Sequence, residues 1–436
     1  MNFKLKALIG ALAGVALSLG SCSGHSAPDP VDTIGEAAEN IVVCNPEEMA
    51  KSLGAKSVKD LSDIFEGSRY RQLVALSETY GVETSKAVLM SYPMGSYGVI
   101  GVKKRDQVEK SLKVQGLKST DLGGMTIFAA KESLKYVIED DYMWLIECED
   151  DHAAVELVEM AKEAAQTPLP DWKHDLVDAG NTADILAQAD SNYISVAARL
   201  DGPKCNLKAK YLDSEGQKAE FLKEGNYEYV GDWAKSLDEN ALLSVAIAKA
   251  DVWPLVTLAM AGLDRDVSPL NLLVAKEMFE GPIYGSIGFD GQDPAEFDKI
   301  WANITLTSSS PFATGMLLLG IGSVIDDMDL PTSSTKQGFK VELDDAQVDV
   351  YTEGNAVKIT TKYQPTAKPV NPASLSDCIG WAKLDMPKSL VAQLTTVHDF
   401  GLKGEIKIKN SEILVELEFT DTKSPFLANV KKISNF

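Results

Sequence analysis

The sequence is poor in the residues that most catalytic and metal chemistry uses. It holds four histidines in 436 residues. None of His25, His152, His174 and His398 stands in an HxH or HExxH spacing, which argues against the common zinc motifs. Its five cysteines contain no CxxC, so zinc-ribbon and thioredoxin-like arrangements are excluded. There is no GxSxG elbow and no Walker loop. Basic residues are also scarce. Lys and Arg number 42 against 64 Asp and Glu, a net charge of -22 and a pI near 4.7. A nucleic-acid surface draws its affinity from Lys and Arg on phosphates, so no nucleic-acid partner is expected. Past the N-terminal leader no run reaches the roughly 18 apolar residues that cross a bilayer. With 45% hydrophobic residues the chain has the composition of a folded globular body and not of a disordered acidic one.

What is present begins with residues 1–21. Lys4 and Lys6 form a positive n-region, Ala7 to Leu19 an apolar core too short to span, and Leu19-Gly20-Ser21-Cys22 closes the segment as a bacterial lipobox. Cys22 is thereby expected to be the lipidated first residue of the mature chain. Several acyl chains, at about 0.8 kcal/mol per buried CH2, hold a protein stably where one does not. The mature charge becomes -24 with the two leader lysines gone, so attachment is expected through the lipid anchor only, the acidic body being repelled by anionic lipid. Ser23 has no acidic character, which favours the outer membrane, on its periplasmic face or at the cell surface. Residues 22–36 read as a flexible tether, of which Ser23 to Pro30 are small, polar and proline-bearing. Within it Asp32-Thr33-Ile34 resembles the Asp-Thr-aliphatic acceptor of O-linked glycans on exported proteins of the Bacteroidetes, with Thr33 as the acceptor; the alternative is an ordinary loop.

Patterning then predicts an α+β fold: repeated strand-helix-hairpin-helix units with antiparallel sheets covered by helices on one face. Residues 37–168 form an N-terminal α+β domain, 169–236 a connecting α+β segment and 237–436 a C-terminal domain with an internal repeat, 241–325 against 378–433. The repeat is marked by Ser310-Pro311-Phe312 and Ser424-Pro425-Phe426, each read as a Ser N-cap, a Pro at the first helical position and a Phe turned into the core. Helices are also expected near 60–80 and 252–263. Cys44, Cys148, Cys205 and Cys378 read either as buried thiols or as disulfide partners in an oxidising compartment.

The chemical candidates are few. Ser333 and Lys336 satisfy Ser-x-x-Lys but lie between Pro331 and Gly338 without a Ser-Asp-Asn partner. Gly320-Ile321-Gly322 reads as a helix-packing site. Asp326, Asp327 and Asp329 crowd the end of the apolar run Phe312–Ile325, where the helix dipole is already negative. They are either solvated charge in a turn or a weak structural site for a hard cation such as Ca2+; no other cofactor and no catalytic residue is indicated. The six tryptophans are core residues by default, with sugar stacking as the alternative.

The lipobox, the run ENALLSVAIAKADVWPLV (Glu239 to Val256) and the ending EIKIKNSEILVELEFTDTKSPFLANVKKI (Glu405 to Ile433) resemble the large uncharacterised lipoproteins of the Bacteroidetes, built on a domain of unknown function. The resemblance implies location and fold and brings no catalytic residues. Three functions are open: an envelope lipoprotein without enzymatic activity that binds a protein partner or ligand, a periplasmic hydrolase using carboxylates, and a surface glycan-binding lipoprotein.

Overall fold

The computed structural model describes residues 27–55, 81–114, 116–129, 133–189, 191–222, 227–248, 281–290, 299–327, 330–343, 346–363, 368–394 and 399–434. The lipobox and the helices expected near 60–80 and 252–263 lie outside the described residues. The chain divides into two compact units, 1–218 with 424–436, and 219–423. The segment 169–236 is thus shared between them. Its larger part belongs to the first unit's sheet.

In the first unit the elements are β1 (Asn40–Cys44), α1 (Pro46–Ser52), β2 (Val82–Tyr92), β3 (Gly95–Val102), α2 (Arg105–Val114), β4 (Ser119–Leu122), β5 (Met125–Ala129), β6 (Leu134–Glu139), β7 (Tyr142–Glu147), α3 (Asp151–Ala165), α4 (Asp171–Val177), β8 (Ala183–Ala189), β9 (Asn192–Asp201) and β10 (Lys204–Leu212). The sheet order is β4-β5-β6-β7-β3-β2-β1-β8-β9-β10, antiparallel throughout. Local signals set the helix starts. Asn45 Oδ1 accepts from the Glu48 amide at 3.1 Å, and Asp150 Oδ1 from the Ala153 amide at 2.8 Å. Asp150 and Asp151 are therefore helix-start residues, and Asp151 also pairs with Lys135 at 2.8 Å.

The expectation of helices on one face needs correction here. Val88, Met90, Tyr97, Val99, Trp144 and Ile146 pack with Ala154, Val158 and Ala161 of α3. Their strand neighbours Ala87, Leu89, Ile100, Met143 and Leu145 pack with Val108 and Leu112 of α2 on the other face. The runs AVLM, GVIGV and MWLI are apolar without alternation, as strands buried on both sides must be.

The second unit holds β11 (Leu243–Ile247), β12 (Ile283–Phe289), β13 (Ile300–Thr307), α5 (Pro311–Asp327), β14 (Thr332–Ser334), β15 (Gly338–Leu343), β16 (Ala346–Glu353), β17 (Ala356–Thr361), β18 (Gly380–Met386), α6 (Lys388–Leu394), β19 (Gly401–Ile408) and β20 (Glu412–Thr420). After β20, α7 (Phe426–Ser434) belongs to the first unit, where the Phe426 amide donates to the Gly202 carbonyl at 2.7 Å. The second sheet runs β14-β15-β16-β17-β13-β12-β11-β18-β19-β20, again antiparallel. Every pairing of the first unit recurs with ten added to each strand number. The helix after the third strand recurs too: α2 packs on residues of β6 and β7, and α5 on residues of β16 and β17. The repeated object visible in the structure is therefore a ten-stranded unit.

The two Ser-Pro-Phe helix entries differ in where the Phe goes. Phe426 is buried. Ser310 caps α5, its Oγ accepting from the Ala313 amide at 3.2 Å, but Phe312 is 79% exposed. Phe312 stands at the second helical position, where the face that meets β16 and β17 is supplied instead by Leu317, Leu318, Ile321 and Ile325.

Candidate functional site

The first described residues, from Ala27 on, are packed against the first unit. Asp29 opens a 3-10 turn over Pro30–Thr33, its Oδ1 accepting from the Val31 amide at 2.9 Å. Its Oδ2 accepts from Lys86 Nζ at 2.5 Å, and the same Nζ reaches Asp178 Oδ1 at 2.6 Å. Burial works against the Lys86 ammonium, but the hydrogen bonds to Asp178 and Asp29 outweigh it and hold its pKa above the ordinary value. Tyr142 donates from its hydroxyl to the Asp29 carbonyl at 3.3 Å. Pro28 and Ala27 lie against Gly101 of β3, where a Cβ would stand 2.8 Å from the Pro28 carbonyl oxygen and 2.9 Å from the Ala27 Cβ. The arrangement fastens the entering chain; it is a clamp of one ammonium between two carboxylates. Its members are 57 and 92 residues apart in sequence, and no local motif announces them.

Beside the clamp, Asp184 of β8 is buried and accepts from Asn181 Nδ2 at 2.7 Å. Burial raises its pKa and the nearby Asp178 adds to this, against the opposing bonds from Asn181. An acid whose folded pKa is raised favours the fold while protonated, and that contribution is lost as pH rises from the unfolded value through the folded one. Asp184→Asn lacks this loss. The stability of the Asn variant relative to the parent is expected to improve between pH 3 and pH 7, measured by urea unfolding at each pH; a difference independent of pH would contradict it.

Thr33 is buried, and its hydroxyl donates to the Pro30 carbonyl at 2.7 Å. A glycan on that oxygen would have to replace the bond and displace the turn from Val31 and Ile34, which belong to the core. Cys22 lies outside the described residues, as does Asp329. The helix α5 continues through Asp326 and Asp327, with Asp326 exposed, so these two extend a helical turn. Among the described residues no three His, Cys, Asp or Glu side chains gather closely enough to hold a metal.

Cys44, Cys148, Cys205 and Cys378 are free and buried. Burial pushes the Cys44 thiol up to about 12 and that of Cys378 to about 11, so neither supplies a thiolate nucleophile at neutral pH. Ser333 lies in exposed β14 opposite Lys340, without the helix start that Ser-x-x-Lys enzymes use. Trp144, Trp301 and Trp381 are core residues. Trp233 stacks on Tyr284 with centroids 6.0 Å apart and planes 21° apart, both half-buried. Tyr284 is in register with Thr305 and Thr305 with Lys358, so one face of the second sheet carries this aromatic pair beside polar groups.

The outer side of α5 is the remaining feature. Phe312, Met316 and Leu319 are 79%, 42% and 70% exposed, on one face at spacings of four and three. No charged residue occurs from Pro311 to Ile325. That run was legible in the sequence and reads as a buried helix; the structure buries one side of it. Its counterpart α2 buries Val108 and Leu112 and carries Arg105, Asp106, Glu109, Lys110 and Lys113 besides.

No family model matches the chain, and no curated protein matches it. Two solved structures are similar to it: crystal form IV of TP0453, at 10% identity over 42% of this chain and 81% of that one with a TM-score of 0.28, and crystal form I of TP0453, at 9% identity over 77% and 92% with a TM-score of 0.26.

Proposed function

We propose that the chain is a lipid-anchored cell-envelope lipoprotein of the outer membrane, one of the Bacteroidetes lipoproteins it resembles, whose body binds a protein partner and does not catalyse a reaction. The exposed apolar stripe of α5 carries the binding part of this reading. Contiguous exposed apolar surface marks interaction sites, and here the equivalent helix of the sister unit shows that the fold itself does not require it. The anchoring part rests on the lipobox and on the short distance to the body. Ala27 is the first described residue, five positions after Cys22, and five extended residues span about 17 Å. Acyl chains on Cys22 would thus keep the first unit within reach of the bilayer. The finer repeat, 241–325 against 378–433, belongs to the same reading. It is supported by the antiparallel triplets β11-β12-β13 and β18-β19-β20, each followed by a helix that Ser-Pro-Phe opens.

Cys22→Ala tests the anchor. The variant is expected to lose metabolic labelling with palmitate and to move from the membrane to the soluble fraction; continued labelling would overturn lipidation at this residue.

A further inference from the structure

We infer that the face of the second sheet turned away from α5, at β12, β13, β17 and β16, is a platform for a neutral oligosaccharide. The two units differ sharply there. In the first, one row across the sheet is Val88, Val99, Trp144 and Val137, all buried in the core that α3 closes. The row across the matching strands of the second is Tyr284, Thr305, Lys358 and Tyr351. Both rows face away from the helix that follows the third strand. Among the described residues, the stretch between β17 and β18 holds only the 3-10 turn Pro372–Leu375 in place of α3 and α4. Neither the helical cover nor the apolar row that needs it recurs.

A solvated sheet face requires only polar side chains; this one carries aromatic rings as well. The 3-10 turn Val230–Ser236 covers the same face at β11 and β18, where Ala234 shares a core with Ala246 and Trp381. At its border Trp233 stacks on Tyr284, which leaves a step with an aromatic edge and a polar floor. A hydrogen bond to Glu353 holds the Lys358 ammonium above its ordinary range, and the hydroxyls of Tyr351 and Tyr284 add to this, so the amine lies beside both rings. The next row brings Asn303, exposed, and Thr360 and Asp349, half-buried.

Three features select the occupant. Lys358 pairs with Glu353, and Lys340 with Asp349 at 3.5 Å, so the floor offers no net charge to an ionic ligand although the chain carries -22. The two rows contain no aliphatic side chain, and a protein partner would find no apolar core in them. Flat rings beside hydroxyl, amide and amine groups do match a sugar, whose C–H faces stack on rings while its hydroxyls hydrogen-bond. Four strands at about 4.8 Å spacing span about 14 Å, longer than one pyranose ring, hence an oligosaccharide.

The test runs the full-length chain in detergent on native gels cast with glycogen, galactomannan or xyloglucan, all neutral, and with polygalacturonate as the charged comparison. At least one neutral polymer is expected to retard the chain. Trp233→Ala and Asn303→Glu are each expected to raise the Kd, read from retardation against polymer concentration, by roughly tenfold. Asn303 is exposed, so its substitution leaves folding intact; circular dichroism checks Trp233→Ala, and where that variant does not fold Asn303→Glu decides alone. Phe312→Glu, on the α5 side, is expected to leave retardation unchanged. Retardation by no neutral polymer, by polygalacturonate alone, or equally in the parent and a folded platform variant would overturn the inference. Loss in Phe312→Glu with Asn303→Glu unaffected would place the binding on α5 and would overturn it too.

Discussion

Trp144→Ala is expected to lower the stability of the first unit by about 4 kcal/mol, the range for a large aromatic removed from a packed core. Trp144 is essentially fully buried and packs edge-on to Tyr97 and Tyr142, with centroids 6.5 Å and 6.4 Å away. Its strand partners Val99 and Val137 are buried as well, so the space left behind cannot be filled from the sheet. A loss of this size is a large part of the roughly 5–15 kcal/mol that a domain has. Trp144→Phe separates packing from polarity. The indole N–H has no hydrogen-bond partner in the core, and a phenyl ring removes that unsatisfied group together with some volume. The Phe variant is therefore expected to lose less than half of what the Ala variant loses. Urea unfolding followed by tryptophan-independent circular dichroism measures both; equal losses would show that Trp144 does not act by filling the core.

The second large effect is expected at Gly35. A Cβ there would stand 2.2 Å from the Ala164 carbonyl oxygen and 2.5 Å from its carbon, and both belong to backbone near the end of α3. Neither can yield as a side chain can. The segment is also fastened on both sides of the contact: the Gly35 amide donates to the Tyr92 hydroxyl at 2.8 Å and the Glu36 amide to the Thr167 carbonyl at 2.8 Å. Gly35→Ala must break this seam and lift Val31, Ile34 and Ala38 from the core they share with α3. We expect a loss of about 3 kcal/mol, at the upper end for overpacking. Gly95→Ala is the control, because its Cβ would meet Leu157 and Tyr97 at an ordinary 3.7 Å, and it should fall within about 0.5 kcal/mol of the parent. A harmless Gly35→Ala would mean that the N-terminal segment does not seal α3.

Most strands were legible because their signals are local. Alternation in Phe339 to Leu343, the apolar runs of β2, β3 and β7, and the turns between them lie within short windows. The helix starts at Asn45, Asp150 and Ser310 were legible for the same reason, since a cap and its amide are three residues apart. Strands β8 to β10 were not read as a meander. NYISVAARLD and KCNLKAKYL mix small, polar and apolar residues, and their burial follows no clean period of two. The clamp of Lys86 with Asp29 and Asp178 was illegible because chain reversals, and no spacing, bring its members together.

Acidity, the absence of motif spacings for metals and nucleophiles and the type of most elements were determined by the sequence alone, because each depends on composition or on residues close in the chain. The tertiary structure decided which faces those elements bury. It placed helices on both sides of the first sheet, paired β1 with β8 and β11 with β18 across more than 130 residues, and turned Phe312 outward while Phe426 turned inward from the same tripeptide. The physical reason is that a side chain's burial depends on what packs over it. For α5 that is settled by the register of β16 and β17 beneath it, a long-range arrangement that no local window contains.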